Sequence, residues 1–427
     1  MRRLVTILVM IAVAFFCVQA VSAQTAVKAV LHAMNWLSFA EENDLYQSWS
    51  RTFEKAHPGY VVNFESLPQG FGEKVAALFA AGNAPDMYFI NAVDIPAQVE
   101  QGMPQPLDSY IDGPNGINTK DIFPAVWNAS TYKGHRYGWS QVNGAQILYY
   151  NKAMFDQAKI PYPTDKWTWD DLAAAAKKLT QKDDKGRVTV YGFQCDELNR
   201  VFASYLWGNG GSFFDNDNDP KEVRFNGPEG VQAANYLRNL VQTLGAAPPP
   251  GTPGALGYRD AFRTGTAAMI LDGSWMILTY SKQKGLSWGT QVIPKGSAGR
   301  KGWYDDVIWG MSSQTKSPDA TWEMIKYFGG KDTALQRADY GGNNLSGMPS
   351  WISAYKDPKW KPTPLVKPVE AQMPQSRPEL VYYNAGLFQW TLLLTALQEI
   401  VGTNVDVQTR LNQLADDTKA QIFDKMP

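Results

Sequence analysis

The chain has 427 residues, and its 40 Lys and Arg nearly balance its 41 Asp and Glu, which leaves a net charge of −1 at pH 7. This balance gives no reason to expect nucleic acid or an anionic membrane surface as a partner. The length exceeds what one ordinary core requires and predicts two lobes.

The first 23 residues have the pattern of an export signal. Two arginines precede an apolar run over residues 4–18, and residues 21–23 provide the small side chains that a signal peptidase needs. A membrane anchor is the alternative, because the run approaches spanning length. We expect residues 1–23 to be removed and the mature protein to be periplasmic. Cys195 would then be the only cysteine, so no intrachain disulfide is expected.

Strand and helix patterns alternate along the chain that follows. Apolar side chains at Leu45, Trp49 and Phe53 predict one face of an amphipathic helix. Thr168 followed by Asp171 predicts a capping box at the start of another helix. The segments that predict strands are 26–34, 59–67, 86–92 and 147–151, and further helices are predicted at 72–82 and 387–402. This alternation predicts α/β layers with mainly parallel sheets, in which ligands bind beyond the carboxyl ends of the strands.

Motifs for catalysis or metal binding are incomplete. The G-x-S-x-G pattern around Ser287 would need a strand before it and a helix after it to present a nucleophile, but the strand-like "TQVIP" follows and ends in Pro294. Asp305 and Asp306 are adjacent on a predicted strand, so they face opposite ways. Residues 215–220 begin like a calcium loop, but Pro220 replaces the required glycine, which favours a polar hairpin tip. We therefore expect no catalytic residue, no metal and no cofactor.

Several stretches match one known family in order. The most specific is "ILYYNKAMFDQAKIPYPTDKWTWDDLAAAAKKLT" at 147–180. The others are "FAAGNAPDMYFINA" (79–92), "YGF" (191–193), "WGNGGSFF" (207–214), "FRTGTAAMILDGSW" (262–275), "WEMIKYF" (322–328) and "GGNNLSGMPS" (341–350). Together they resemble the carbohydrate-binding proteins of bacterial ABC importers, a family of extracellular solute-binding proteins that includes maltose-binding proteins. The resemblance covers almost the whole chain after the export signal.

The resemblance implies an α/β fold of the type II periplasmic binding proteins, with two hinge-linked lobes and a ligand cleft between them. The first lobe is expected at 24–138 and 311–374, and the second at 139–310 and 375–427. The implied ligand is a sugar or oligosaccharide, delivered by a monomer to the permease subunits of an inner-membrane ABC importer. Two alternatives stay open: the same fold with a non-sugar polar solute, such as glycerol phosphate or a polyamine, and a secreted polysaccharide-degrading enzyme.

Candidate ligand contacts follow the ends of predicted strands. Asp272 can accept hydrogen bonds from sugar hydroxyls or cap the following helix, and Trp275 can pack on a sugar ring or in the core. Gly273 between them is expected to allow a sharp turn. The other candidates, each with a capping or packing role as the alternative, are Asn35, Trp36, Asn91, Asp94, Gln141, Asn143, Trp207, Asn209, Trp303, Tyr304, Trp309, Arg377 and Trp390. Asn91 stands where the maltose-binding pattern can have a bulky aromatic residue, so the resemblance does not imply maltodextrin specificity.

Overall fold

The structure is a computed structural model, and it describes residues 27–37, 42–195, 197–217, 219–340, 347–378, 380 and 382–426. The predicted export signal lies outside these residues, as does most of the matching stretch at 341–350. Within the described ranges, no helix is long and apolar enough to cross a membrane.

The strands of the described residues are short, apart from β1, β2 and β7. They are β1 Ala29–Trp36, β2 Tyr60–Leu67, β3 Met87–Asn91, β4 Thr131–Tyr132, β5 His135–Arg136, β6 Gly138–Trp139, β7 Val142–Asn151, β8 Gln181–Lys182, β9 Val188–Val190, β10 Met269–Gly273, β11 Trp288–Gln291, β12 Gly302–Asp305, β13 Val307–Met311, β14 Met348–Pro349 and β15 Ser376–Pro378.

Helices separate most of these strands. They are α1 Glu42–Ala56, α2 Phe71–Ala80, α3 Ile95–Glu100, α4 Asp108–Ile111, α5 Pro124–Ala129, α6 Lys152–Ala158, α7 Trp169–Leu179, α8 Leu198–Gly208, α9 Pro228–Arg238, α10 Tyr258–Thr264, α11 Ile277–Ser281, α12 Pro318–Phe328, α13 Lys331–Ala338, α14 Lys367–Gln372, α15 Ala385–Leu387, α16 Leu394–Gly402 and α17 Val407–Gln421. Two π-helical turns, Asn239–Thr243 and Phe388–Leu393, lie between α-helices.

The first sheet has the order β2-β1-β3-β13-β6. Strand β1 is parallel to both β2 and β3, whereas β13 is antiparallel to β3 and β6. The predicted face of α1 packs on this sheet, because Leu45, Trp49 and Phe53 are at most 9% exposed and belong to its apolar core. The predicted strands and helices of this lobe are therefore confirmed.

The second sheet is built on the long strand β7. Its main order is β10-β7-β12-β15, and β11 and β14 also pair with β7. Every strand that pairs with β7 is antiparallel to it. The prediction of mainly parallel sheets is therefore wrong here, because β7 enters from the first sheet rather than after a helix of its own layer. The predicted capping box of α7 is confirmed, since the Thr168 and Asp171 side chains bond reciprocally to each other's backbone N–H groups.

The chain passes between the two sheets through short segments. Ser140 and Gln141 join β6 to β7, and Asp306 alone joins β12 to β13. The predicted lobe boundaries at 138/139 and 310/311 lie near these crossings and remain predictions. The third predicted boundary, at 374/375, follows the end of α14 and also remains a prediction. The Gln372 side chain at the end of this helix accepts a hydrogen bond from the backbone N–H of Ile293 at 3.2 Å, beside the second sheet.

Candidate ligand-binding cleft

A cavity of about 370 Å³ lies between the two sheets, where the ends of several strands meet. The pairing registers bring these ends together, because Val307 lies opposite Asn91 and Asp305 lies opposite Gly144. Five of the candidate residues line the cavity: Trp36, Asn91, Gln141, Asn143 and Trp275. Other lining residues are Tyr46, Phe89, Ser140, Gly144, Arg259, Met276, Asp305, Val307 and Arg337.

The aromatic wall of the first lobe is the ring of Trp36 at the end of β1. Its centroid lies 5.3 Å from that of Phe71 and 5.1 Å from that of Phe89, both in edge-to-face arrangements. Such contacts hold a ring in one orientation and stabilise it beyond the area that it buries. Trp36 therefore presents a fixed apolar surface to the cavity.

The aromatic wall of the second lobe is the ring of Trp275, which lies directly against two glycines. A Cβ atom on Gly273 would come within 2.0 Å of this ring, and a Cβ on Gly144 within 2.8 Å. Gly273 itself has φ −71° and ψ 148°, which any residue adopts. The expectation that this glycine permits a sharp turn is therefore wrong, and its role is to leave space for the ring.

A Gly273→Ala substitution tests this packing, because the backbone accepts alanine and the added methyl group must displace the Trp275 ring. We expect saccharide binding to weaken by up to about 1–3 kcal/mol, the scale of the apolar contact that the displaced ring would provide. Isothermal titration of wild-type and variant protein measures the change. Gly265→Ala is the contrasting variant, since its φ of 78° strains the backbone while only the Met154 methyl lies within 4 Å. It should lower the melting temperature and leave affinity unchanged; weakened binding there too would argue against displacement of the ring.

Charged residues at the cavity are paired within the protein. The Arg259 guanidinium forms two hydrogen bonds with Asp272, at 2.9 and 2.8 Å. Asp305 pairs with Arg200 at 2.9 Å, and Arg337 pairs with Glu42 at 2.7 Å. Each charged side chain among the described lining residues thus has an opposite charge beside it.

Asp272 is held entirely by protein donors. Besides Arg259, its carboxylate accepts hydrogen bonds from the hydroxyls of Tyr258 and Tyr280, at 3.1 and 3.0 Å, and from the backbone N–H of Gly273 at 2.7 Å. The residue is 1% exposed and does not line the cavity. Its place beside Arg259 suits it to fix that guanidinium at the cavity wall.

Four candidates with large side chains lie in the cores rather than at the cavity surface. Trp303 is 1% exposed and stacks on Trp207, with ring centroids 5.6 Å apart. Trp309 is fully buried among the rings of the first lobe, and its indole N–H points to the Gln141 side-chain oxygen at 3.4 Å. Tyr304 is 2% exposed, and burial raises the pKa of its hydroxyl well above the ordinary value.

The remaining candidates occupy varied positions. Asn35 is fully buried, and neither side-chain amide atom has a hydrogen-bond partner among the described residues. The Asn209 side chain accepts from the backbone N–H of Ser297 at 3.0 Å and donates to the Tyr205 carbonyl at 2.9 Å. The Arg377 guanidinium lies 5.5 Å from the Trp207 ring centroid. Trp390 is half-buried in the second π-helical turn.

The two lobes contact each other beside the cavity. Val93, which follows β3 of the first sheet, is 3% exposed and belongs to the apolar core of the second lobe. A Cβ atom on Gly386 in α15 would lie 3.5 Å from a carboxylate oxygen of the neighbouring Asp94. Burial raises the pKa of Asp94, although a hydrogen bond with Asn91 lowers it. The two lobes thus meet at Val93, Asp94 and α15.

Sequence reasoning did not identify several lining residues. Gly144 directly follows the candidate Asn143 but lies three residues before the predicted strand at 147–151, and no motif singled it out. Arg259 lies 13 residues before Asp272, at the start of α10, and had no motif of its own. Arg337 is far from any predicted strand end, and it reaches the cavity because α13 packs beside β14 and β7.

Comparison with known proteins places this geometry in a family. The profile of the bacterial extracellular solute-binding proteins matches residues 38–335. A Brucella abortus protein named as a binding protein is 25% identical over 300 residues, covering 69% of this chain and 70% of the relative. The galactooligosaccharide-binding protein of Bacillus subtilis is 20% identical over 378 residues, covering 87% of this chain and 85% of the relative.

The fold also resembles solved structures. An ABC substrate-binding protein of Listeria monocytogenes, solved in complex with cycloalternan, superposes with a TM-score of 0.80 at 24% identity and covers 92% of this chain and 99% of its own. That similarity shows a shared two-lobed fold. Because the family profile spans more than half of the sequence, the chain belongs to the bacterial extracellular solute-binding proteins, a family of binding proteins rather than enzymes.

Proposed function

We propose that this protein captures a neutral sugar or short oligosaccharide between its lobes in the periplasm and delivers it to an ABC importer. The observation that carries the proposal is the cavity lining, in which one tryptophan from each lobe accompanies the amides of Asn91, Gln141 and Asn143. Indole rings suit the apolar C–H face of a sugar, and planar amides pair with adjacent hydroxyls.

The paired charges favour a neutral ligand. Arg259 and Arg337 reach the cavity, but Asp272 and Glu42 neutralise them, and Asp305 is neutralised by Arg200. An anionic solute such as glycerol phosphate would have to compete with these carboxylates, and a polyamine would have to compete with the arginines. Both non-sugar alternatives are therefore less well supported.

The lining also favours binding over catalysis. Hydrolysis of a glycosidic bond ordinarily requires two carboxyl groups on opposite sides of the scissile bond. Asp305 is the only carboxylate among the described lining residues, and it is engaged by Arg200 and by the Trp303 indole N–H at 2.9 Å. We propose that the protein has no enzymatic activity.

Delivery would follow from the closed arrangement of the lobes. A sugar that contacts both walls binds the closed form more tightly than the open form, and this difference shifts the population toward closure. We propose that a monomer in this closed form is what the permease subunits of the inner membrane recognise.

The proposal is tested by a thermal-shift and titration screen with maltotriose, galactotriose, arabinotriose, tagatose and mannitol. At a concentration about 100 times the Kd, a cognate sugar should stabilise the folded protein by about 2.7 kcal/mol and raise its melting temperature. Glycerol 3-phosphate and spermidine are included as probes of the alternatives. A response to either of these and to no saccharide would replace the proposal, and release of reducing ends from a glycan would contradict the non-enzymatic function.

A further inference from the structure

Arg200 in α8 lies among three tryptophans that come from distant parts of the chain. It is 7% exposed, and the central carbon of its guanidinium lies 5.5 Å from the Trp275 ring centroid, 5.6 Å from that of Trp303 and 5.1 Å from that of Trp390. A guanidinium within about 6 Å of an indole ring is attracted to its π-electrons. One side chain thus contacts rings from three separate segments.

Two carboxylates hold this guanidinium in place. Its Nη1 lies 2.9 Å from Asp305 Oδ2, and its Nε lies 3.2 Å from Glu197 Oε2. The other oxygen of Asp305 accepts the Trp303 indole N–H at 2.9 Å. The planar guanidinium therefore lies between two carboxylates and three indole rings, an arrangement for which arginine is better suited than lysine.

The same helix secures the backbone beside Trp390. Asn199, next to Arg200, donates its side-chain N–H to the Gln389 carbonyl at 3.2 Å. Gln389 and Trp390 lie in the π-helical turn Phe388–Leu393, an irregularity that frequently occurs at functional sites. Consecutive residues of α8 thus contact the ring of Trp390 and the carbonyl just before it.

Trp275 and Trp390 are both half-buried, whereas Trp303 is buried. A partly exposed indole has few neighbours on its solvent side, so the contacts beneath it decide which rotamer it adopts. For both rings, the guanidinium of Arg200 is such a contact. We propose that Arg200 is a positioning residue for ligand binding, which holds the ring of Trp275 as the aromatic wall of the second lobe and fixes the ring of Trp390 against the same guanidinium.

The proposal rests on the proposed function in its claim about binding, but its claim about ring position can be measured without a ligand. The chain has 15 tryptophans, which can be labelled together with 5-fluorotryptophan and observed by fluorine NMR. Trp275→Phe and Trp390→Phe each remove one resonance and so assign it. In Arg200→Met we expect these two resonances to shift or broaden, while that of Trp49 in the core of the first lobe stays in place.

Arg410→Met is the matched control. Arg410 is 8% exposed and pairs with the half-exposed Glu399, so its loss also removes the ion pair of a buried arginine, but among the described residues it makes no ring contact of the kind that Arg200 makes. It should lower the melting temperature without moving the two assigned resonances. Unchanged resonances in Arg200→Met, or equal shifts in both variants, would overturn the proposal. If Arg200→Met does not fold, Arg200→Lys replaces it, with smaller shifts of the same two resonances expected and an unchanged spectrum counting against the proposal.

Binding is measured separately by titration with maltotriose, galactotriose and tagatose. For any of these that the wild-type protein binds, Arg200→Met should raise the Kd by about 10–100-fold, the scale for a binding surface displaced by an ångström or so. Arg410→Met should leave the Kd within about twofold of the wild type. An unchanged Kd in Arg200→Met would overturn the role in binding. If the wild-type protein binds no saccharide, the proposed function fails, and the NMR experiment still decides whether Arg200 positions the rings.

Discussion

Replacement of Trp275 by alanine is expected to weaken saccharide binding by about 1–3 kcal/mol, or roughly 5–150-fold in Kd. The substitution removes the aromatic wall of the second lobe and leaves Gly273 and Gly144 uncovered at the cavity. Because Trp275 is half-buried at the end of β10, the loss should fall on binding more than on folding. Isothermal titration with the saccharide that the wild-type protein binds measures the effect.

Trp288→Ala is the matched control for this experiment. Trp288 is also half-buried in the second lobe, where its ring lies 5.8 Å from that of Tyr149 and 6.0 Å from that of Tyr280. It does not line the cavity, so its removal should lower the melting temperature and leave the Kd nearly unchanged. Wild-type affinity in Trp275→Ala would show that this ring packs only against the protein.

The cavity lining shows which parts of a binding site a sequence can reveal. Trp36, Asn91 and Trp275 follow directly from the rule that ligands meet the ends of strands, since each stands at or just after such an end. Trp303 and Trp309 were predicted as contacts because they flank the second crossing between the lobes, and both are buried. An aromatic residue near a strand end can face the cleft or the core, and no local pattern distinguishes the two.

Arg200 illustrates what sequence reasoning could not find. Its partners Trp275, Asp305 and Trp390 are distant along the chain, and only the tertiary fold brings them together. Local features were recovered more completely, as with the capping box at Thr168, because all of its atoms come from four consecutive residues. The antiparallel pairing of β7 was not predicted, because it depends on a crossing between the lobes and not on consecutive residues.

Asp306 joins β12 to β13 and is the titratable group with the clearest consequence for stability. Burial raises the pKa of its carboxyl to about 8. The hydroxyls of Ser140 and Tyr304 and the backbone N–H of Val307 face it and lower the pKa, but none forms a hydrogen bond of good geometry with it. The neighbouring charge of Asp305 raises the pKa further. The folded protein therefore keeps a proton that the unfolded chain has already lost at neutral pH.

This difference predicts how stability changes with pH. Between the ordinary pKa of 3.8 and about 8, the folded state holds one more proton at this site than the unfolded state, so each pH unit lowers the free energy of unfolding by up to about 1.4 kcal/mol. From pH 5 to pH 8 the loss at this site should be on the order of 4 kcal/mol, and it should end above the folded pKa. Asp306→Asn should abolish this decline and make the protein more stable than the wild type at pH 8.

Urea unfolding at pH 5, 6, 7 and 8 measures the free energy of unfolding of the wild type and of Asp306→Asn. The difference between the two free energies at each pH removes the contribution of other titrating groups. Asp183→Asn is the contrasting control, because hydrogen bonds from Arg187 hold the pKa of that exposed carboxyl below its ordinary value. The Asp183 carboxylate stabilises the folded protein at every pH above its ordinary pKa of 3.8, and this stabilisation is lost only as the pH falls through the lower pKa of the folded state. Asp183→Asn should therefore show the same decline in stability between pH 5 and 8 as the wild type. Equal slopes for wild type and Asp306→Asn would mean that Asp306 is ionised in the folded protein, and that the crossing between the lobes accommodates a buried negative charge.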